Sequence, residues 1–109
     1  MSDSNTNPVT FAKALADPTR QQIMEIICCD WKNVNEIVAA VGVRQPTVSH
    51  HLAILKEAGL VKTRPDGKHT YYTLNQRRVA SCCGQLIEVF APGSEINVVI
   101  VSESSDEDI

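Results

Sequence analysis

Residues 44–60, RQPTVSHHLAILKEAGL, constrain this chain more than any other stretch. Pro46 suits the first turn of a helix, where its fixed φ fits and its missing N–H is not needed. From there Val48, Leu52 and Leu55 recur at helical spacing and make one apolar stripe. Thr47, Ser49 and His50 point away from that stripe. Gly59 stands where a left-handed residue ends a helix. An anchored back, an uncharged hydrogen-bonding front and basic flanks are what a helix needs to read base edges. An ordinary amphipathic surface helix has the same pattern, so the neighbouring segments have to separate the two readings.

On both sides they favour nucleic acid. Upstream, Asn33 with Glu36 forms a capping box that opens a helix with Ile37, Val38 and Val41 inside, ended by Gly42. The short link 42–44 makes these two helices a helix-turn-helix. Downstream, residues 60–64 and 69–74 are strand-forming, and Pro65-Asp66-Gly67 is a turn signal. The resulting hairpin carries Lys62, Arg64, Lys68 and His69 around its tip. A basic hairpin directly after a helix-turn-helix is a wing, suited to lie along phosphates.

The overall charge of −3 hides a strong division. Residues 44–78 hold seven Lys/Arg against Glu57 and Asp66, a balance of +5. The segment before them sums to −2, and residues 79–109 carry six acids and no base. A local basic segment is the electrostatic footprint of a DNA binder, whatever the whole-chain balance.

The rest of the chain supplies scaffolding. Residues 1–8 are polar and expected to be frayed. A short helix around Phe11 and Leu15 is followed by Asp17-Pro18, a cap and first-turn proline. These open a helix running to about Cys29, with Ile23, Ile26 and Ile27 inside and Arg20, Gln21 and Glu25 facing water. Residues 30–32 read as a connector. Asn75 caps a last helix to about Phe90, whose stripe of Val79, Cys82, Cys83, Leu86, Ile87 and Phe90 is wider than one small domain needs. The surplus points to a homodimer. The expected fold is mainly α with a small β-hairpin, a winged helix-turn-helix in the order α-α-α-α-β-β-α. It spans residues 9–91, with an extension over 92–109 that holds INVVIV and an acidic tail. At 109 residues the chain makes one domain. No stretch has the length of a membrane span, and the N-terminus lacks a signal-peptide profile, so a cytoplasmic protein is expected.

Three stretches, ALADPTRQQIMEII, RQPTVSHHLAILKEAGLV and TRPDGKHTYYTL, resemble the ArsR/SmtB family of winged-helix repressors over roughly residues 9–90. That resemblance implies a homodimer on double-stranded DNA, at an inverted-repeat operator. It also implies release by an inducer, usually a soft metal or metalloid ion or a thiol oxidant. Matched position by position, Gln45, Thr47, Ser49 and His50 become groove contacts. Arg44 stands where Ser is usual in the family, as a phosphate contact or a solvated charge. Arg64 and Lys68 of the wing are the backbone contacts.

The family's known inducer sites are missing here. The Cys-x-Cys of the arsenic and cadmium type is replaced by Asn33 and Asn35. The zinc type needs histidines on the last helix, and the three histidines are 50, 51 and 69. Four cysteines remain: Cys28, Cys29, Cys82 and Cys83. In a reducing compartment such cysteines are thiols, ligands or redox switches rather than structural disulfides. Clustered thiolates select soft ions. Cys82 and Cys83 with a sulfur from Cys28 or Cys29 would hold trivalent arsenic, the inducer the resemblance suggests. A disulfide or persulfide switch between the two helices and simple burial of small apolar side chains stay open beside it. No cofactor is required. The chain has no Cys-x-x-Cys beside a βαβ unit, no Gly-rich phosphate loop and no acid–base cluster, which argues against an enzyme. The remaining rival is a winged-helix module that binds protein.

Overall fold

Each helix starts on a side chain that satisfies its first N–H groups, with one exception. The computed structural model describes residues 7–94. Asn7 opens α1 (Pro8–Leu15), its Oδ1 accepting from Val9 N at 2.7 Å. Asp17 opens α2 (Pro18–Ile26) by accepting from Thr19 N at 2.8 Å and Arg20 N at 3.2 Å. Those backbone N–H groups, Arg20 first, hold the Asp17 carboxyl below its usual range. At α3 (Val34–Val41) Asn33 and Glu36 exchange 2.9 Å bonds in a complete capping box. Asn75 opens α5 (Gln76–Phe90) with a bond from Arg78 N. The exception is α4 (Gln45–Glu57), where Arg44 makes no side-chain capping bond.

Helix α4 ends as its sequence requires. Gly59 has φ +77, Leu60 N bonds Leu55 O and Gly59 N bonds Lys56 O, which together form a Schellman motif. Leu55 and Leu60 are both fully buried, giving that motif its hydrophobic closure. The wing is β2 (Val61–Asp66) and β3 (His69–Leu74), antiparallel from Val61↔Leu74 to Asp66↔His69. Its strands run closer to the tip than expected, so the turn is Gly67-Lys68 and Pro65 lies within β2, opposite Thr70. Proline is tolerated there because β2 is an edge strand. Gly67 has φ +65, the glycine-first pattern of a two-residue hairpin turn.

Three expectations are corrected. Helix α2 stops at Ile26, before the cysteine pair. Ile27 O no longer serves the helix; it accepts from Leu74 N at 2.9 Å and Thr73 Oγ1 at 3.0 Å. The inner face of α2 uses Met24, while Ile26 is only half-buried. The connector at 30–32 leads into a strand, β1 (Lys32–Asn33), which pairs with β3 as Lys32↔Tyr72 and Asn33↔Tyr71. The sheet therefore has three antiparallel strands in the order β1-β3-β2. Two residues carry no periodic signal of their own; the exposed edge of β3 makes them a strand.

The architecture is a winged helix-turn-helix of five helices and this small sheet. Phe11, Ile23, Ile27, Ile37, Val48, Leu52 and Leu55 meet in one core beneath α4. The INVVIV run and the acidic tail lie outside the described residues.

Candidate nucleic-acid interface

Helix α4 has two chemically distinct sides. Val48, Leu52 and Leu55 are buried in the core, and His51 joins them at 8% exposure. Arg44, Gln45, Thr47, Ser49 and His50 are all exposed on the opposite side. No side chain caps α4, and a phosphate oxygen would be an apt acceptor for first-turn N–H groups that have no intrahelical partner.

Gln45 of this front also lines a polar groove, together with Asn33, Val34 and Asn35 and with Lys68, His69, Thr70 and Tyr72 of the wing. The fold thus brings Gln45 and Lys68, 23 positions apart in sequence, to one surface. Asn35 and His69 join them. Asn35 carries no sequence signal for this role, since only the packing of β1 and α3 against β3 brings it there.

Arg64 is placed differently. Its guanidinium stacks on Trp31, with Cζ 4.4 Å from the ring centroid, a cation–π contact worth about 0.5–1 kcal/mol at an exposed site. Arg64 is not among the residues lining the groove. Register explains the meeting: Arg64 and Asn33 both lie opposite Tyr71, so the chain entering β1 comes to the same face of the sheet.

The cysteines form two separate pairs. At the end of α2 the Cys28 and Cys29 sulfurs are joined to each other in a disulfide between neighbouring residues. Gln76 at the start of α5 donates to Cys28 O at 2.6 Å and reaches Cys29 Sγ at 3.8 Å. Cys82 is fully buried, and burial pushes its thiol up, away from the reactive thiolate. Cys83 is half-buried against the core. Cys82 lies six positions beyond Gln76 along α5, about 9 Å of rise. Among the described residues no group of three or more His, Cys, Asp or Glu side chains is arranged to hold a metal. One protomer as it stands therefore does not assemble the three-sulfur site.

Residues 17–63, from the cap of α2 into the wing, match the model of the arsR family of bacterial regulatory proteins. A biofilm growth-associated repressor of Agrobacterium fabrum is 32% identical over 90 residues, covering 83% of this chain and 77% of that protein. The chain belongs to the arsR family.

A probable mercury resistance operon repressor of Streptomyces lividans is 41% identical over 78 residues. That match covers 69% of this chain but only 62% of the relative's own length. Among solved structures, NolR from Sinorhizobium fredii superposes with a TM-score of 0.63 at 30% identity, over 75% of this chain and 82% of that one. Membership makes the protein a DNA-binding transcriptional repressor with a helix-turn-helix. The resemblance read from its three stretches of sequence is thereby upheld. No helix among the described residues is long and apolar enough to cross a membrane.

Proposed function

We propose that two copies of this chain sit on an inverted-repeat operator, with α4 of each in successive major grooves. The carrying observation is the exposed front of α4, whose Gln45 lines one groove together with Lys68 and His69 of the wing. Gln45, Thr47, Ser49 and His50 read base edges, while Arg44 and Lys68 hold phosphates. Arg64 serves at the wing's outer face, where Trp31 holds it. Dimerisation uses the apolar end of α5, where Val89 is 63% and Phe90 77% exposed.

In this reading the Cys28–Cys29 pair is in its reduced, two-thiol form, and a soft, thiophilic ion such as trivalent arsenic releases the repressor by acting on Cys82 and Cys83, with a further sulfur from Cys28 or Cys29. One relative is a probable mercury resistance operon repressor, which supports an ion of that class. Because one protomer does not gather three sulfurs, α5 has to shift against α2, or the partner has to contribute. Either would move the two recognition helices out of their spacing of about 34 Å. Reversing occupancy from 1:99 to 99:1 takes about 5.5 kcal/mol of preference for the released form. A second reading draws on the joined Cys28 and Cys29 sulfurs: a peroxide takes two electrons and two protons from that thiol pair and acts as the inducer.

Selection of bound fragments from random duplex DNA tests the first claim. Enrichment of an inverted repeat supports it, and no enrichment favours the protein-binding module. Arsenite, cadmium and peroxide are then titrated separately into the protein–operator complex. Release that survives Cys82→Ser, Cys83→Ser and the Cys28/Cys29 double replacement would exclude the thiols as the sensing site.

A further inference from the structure

Arg20 was expected to face water, and it does not. Its side chain leaves α2 and makes three bonds to two other helices. Nε donates to Ala14 O at 2.8 Å and Nη2 to Lys13 O at 3.1 Å, both at the end of α1. Nη1 lies 3.1 Å from Nδ1 of His51 on α4. A guanidinium can only donate, so Nδ1 of His51 is the acceptor and the imidazole is neutral, with its proton on Nε2. Both carbonyls lie in the last turn of α1, where Lys13 O also accepts from Ala16 N at 3.2 Å, and a cation there suits the helix dipole. With three of its donors engaged in a fixed fork, the guanidinium has little freedom to move.

The position of this contact matters. Helix α1 packs against α5, the helix with the exposed apolar end. His51 lies directly beside His50 and two residues from Ser49, on the side of α4 turned away from the DNA front. We propose that Arg20 is a positioning residue for DNA binding: by tying the end of α1 to His51, it sets the angle at which α4 presents Thr47, Ser49 and His50. This rests on the reading that α4 enters the major groove.

The tie holds only while His51 is neutral, because a proton on Nδ1 would place a donor and a positive charge against another donor and positive charge. Burial is the main force keeping His51 below the usual histidine range. The charged groups around it are Asp17 at the α2 cap, which favours the proton, and Arg20 and His50, which oppose it. Acidification therefore breaks the tie.

The test is the ratio of affinities for a selected operator and a random duplex, measured by fluorescence anisotropy from pH 8 to 5.5 with the full chain. In the wild type the ratio should fall as pH drops below 6.5, the ordinary histidine value. Arg20→Gln should lower it at pH 8 by about tenfold, as loss of a charge-assisted bond implies, while random-duplex binding is retained. His51→Asn keeps an acceptor near the Nδ1 position and cannot titrate, so it should keep the ratio and flatten its pH dependence. An unchanged ratio in Arg20→Gln, or a His51→Asn curve that follows the wild type, overturns the proposal. So does loss of both duplexes in step with the folded fraction seen by circular dichroism, which would mark a purely structural role. A wild type that prefers no duplex overturns the DNA-binding reading itself, and this inference with it.

Discussion

Helices α4 and α5 are the two longest among the described residues, at 13 and 15 residues, and both carry an apolar stripe. They use it in opposite ways. Helix α4 buries Val48, His51, Leu52 and Leu55 inside its own protomer. Helix α5 buries Cys82 alone and leaves Val89 and Phe90 in water. The chain itself completes the seat of α4, and a polar front is then left free for a ligand. The stripe of α5 is incomplete in one copy, so its remaining apolar surface is available to another protein surface. Under the proposed function the difference separates a reading element from an assembling one, although each has the sequence of an amphipathic helix.

The contrast is most exposed to failure in the core. Leu52→Ala should cost about 2–5 kcal/mol in urea unfolding, because a buried leucine lost from a packed site leaves a cavity. Phe90→Ser should leave the unfolding free energy extrapolated to the lone protomer unchanged. It should instead weaken the dimer by about 1.5–3 kcal/mol, the value of burying one large apolar side chain, as seen by sedimentation equilibrium. A Phe90→Ser protomer as destabilised as Leu52→Ala would erase the distinction. His50→Ala sharpens the comparison from the other side of α4. Stability should stay within about 0.5 kcal/mol, while operator affinity falls by about 1–3 kcal/mol, the scale of a good base contact. Lys68→Ala should reduce operator and random-duplex binding alike and lower the salt slope by about one unit.

The smallest effect concerns acidity. His51 takes up its proton less readily in the folded protein than in the unfolded chain. Stability tied to it is therefore present in full above about pH 6.5 and is lost as pH falls through the lower, folded value. Urea midpoints should show that slope in the wild type and not in His51→Asn.

Much of this was legible in the residue order. The Asn33–Glu36 box, Asp17-Pro18, Gly42 and Gly59 each act within a few positions of themselves, and each stands where local chemistry puts it. The front of α4 was equally readable, because the 3.6-residue period separates Thr47, Ser49 and His50 from Val48, Leu52 and Leu55 whatever surrounds the helix. Arg20 was misread for the complementary reason. Its position on the helix wheel gives the direction of the side chain, but not that the last carbonyls of α1 lie within reach or that His51 offers a lone pair.

What the order of residues determined by itself is the set of helices, their caps, the polarity of the α4 front and the basic character of the wing. These depend on neighbours a few residues apart. Tertiary structure alone decided that Lys32 and Asn33 become a strand, that Trp31 holds Arg64, that Arg20 reaches His51, 31 positions away, and that the two cysteine pairs stay apart. Those outcomes depend on which elements meet in space, and no local pattern encodes a meeting.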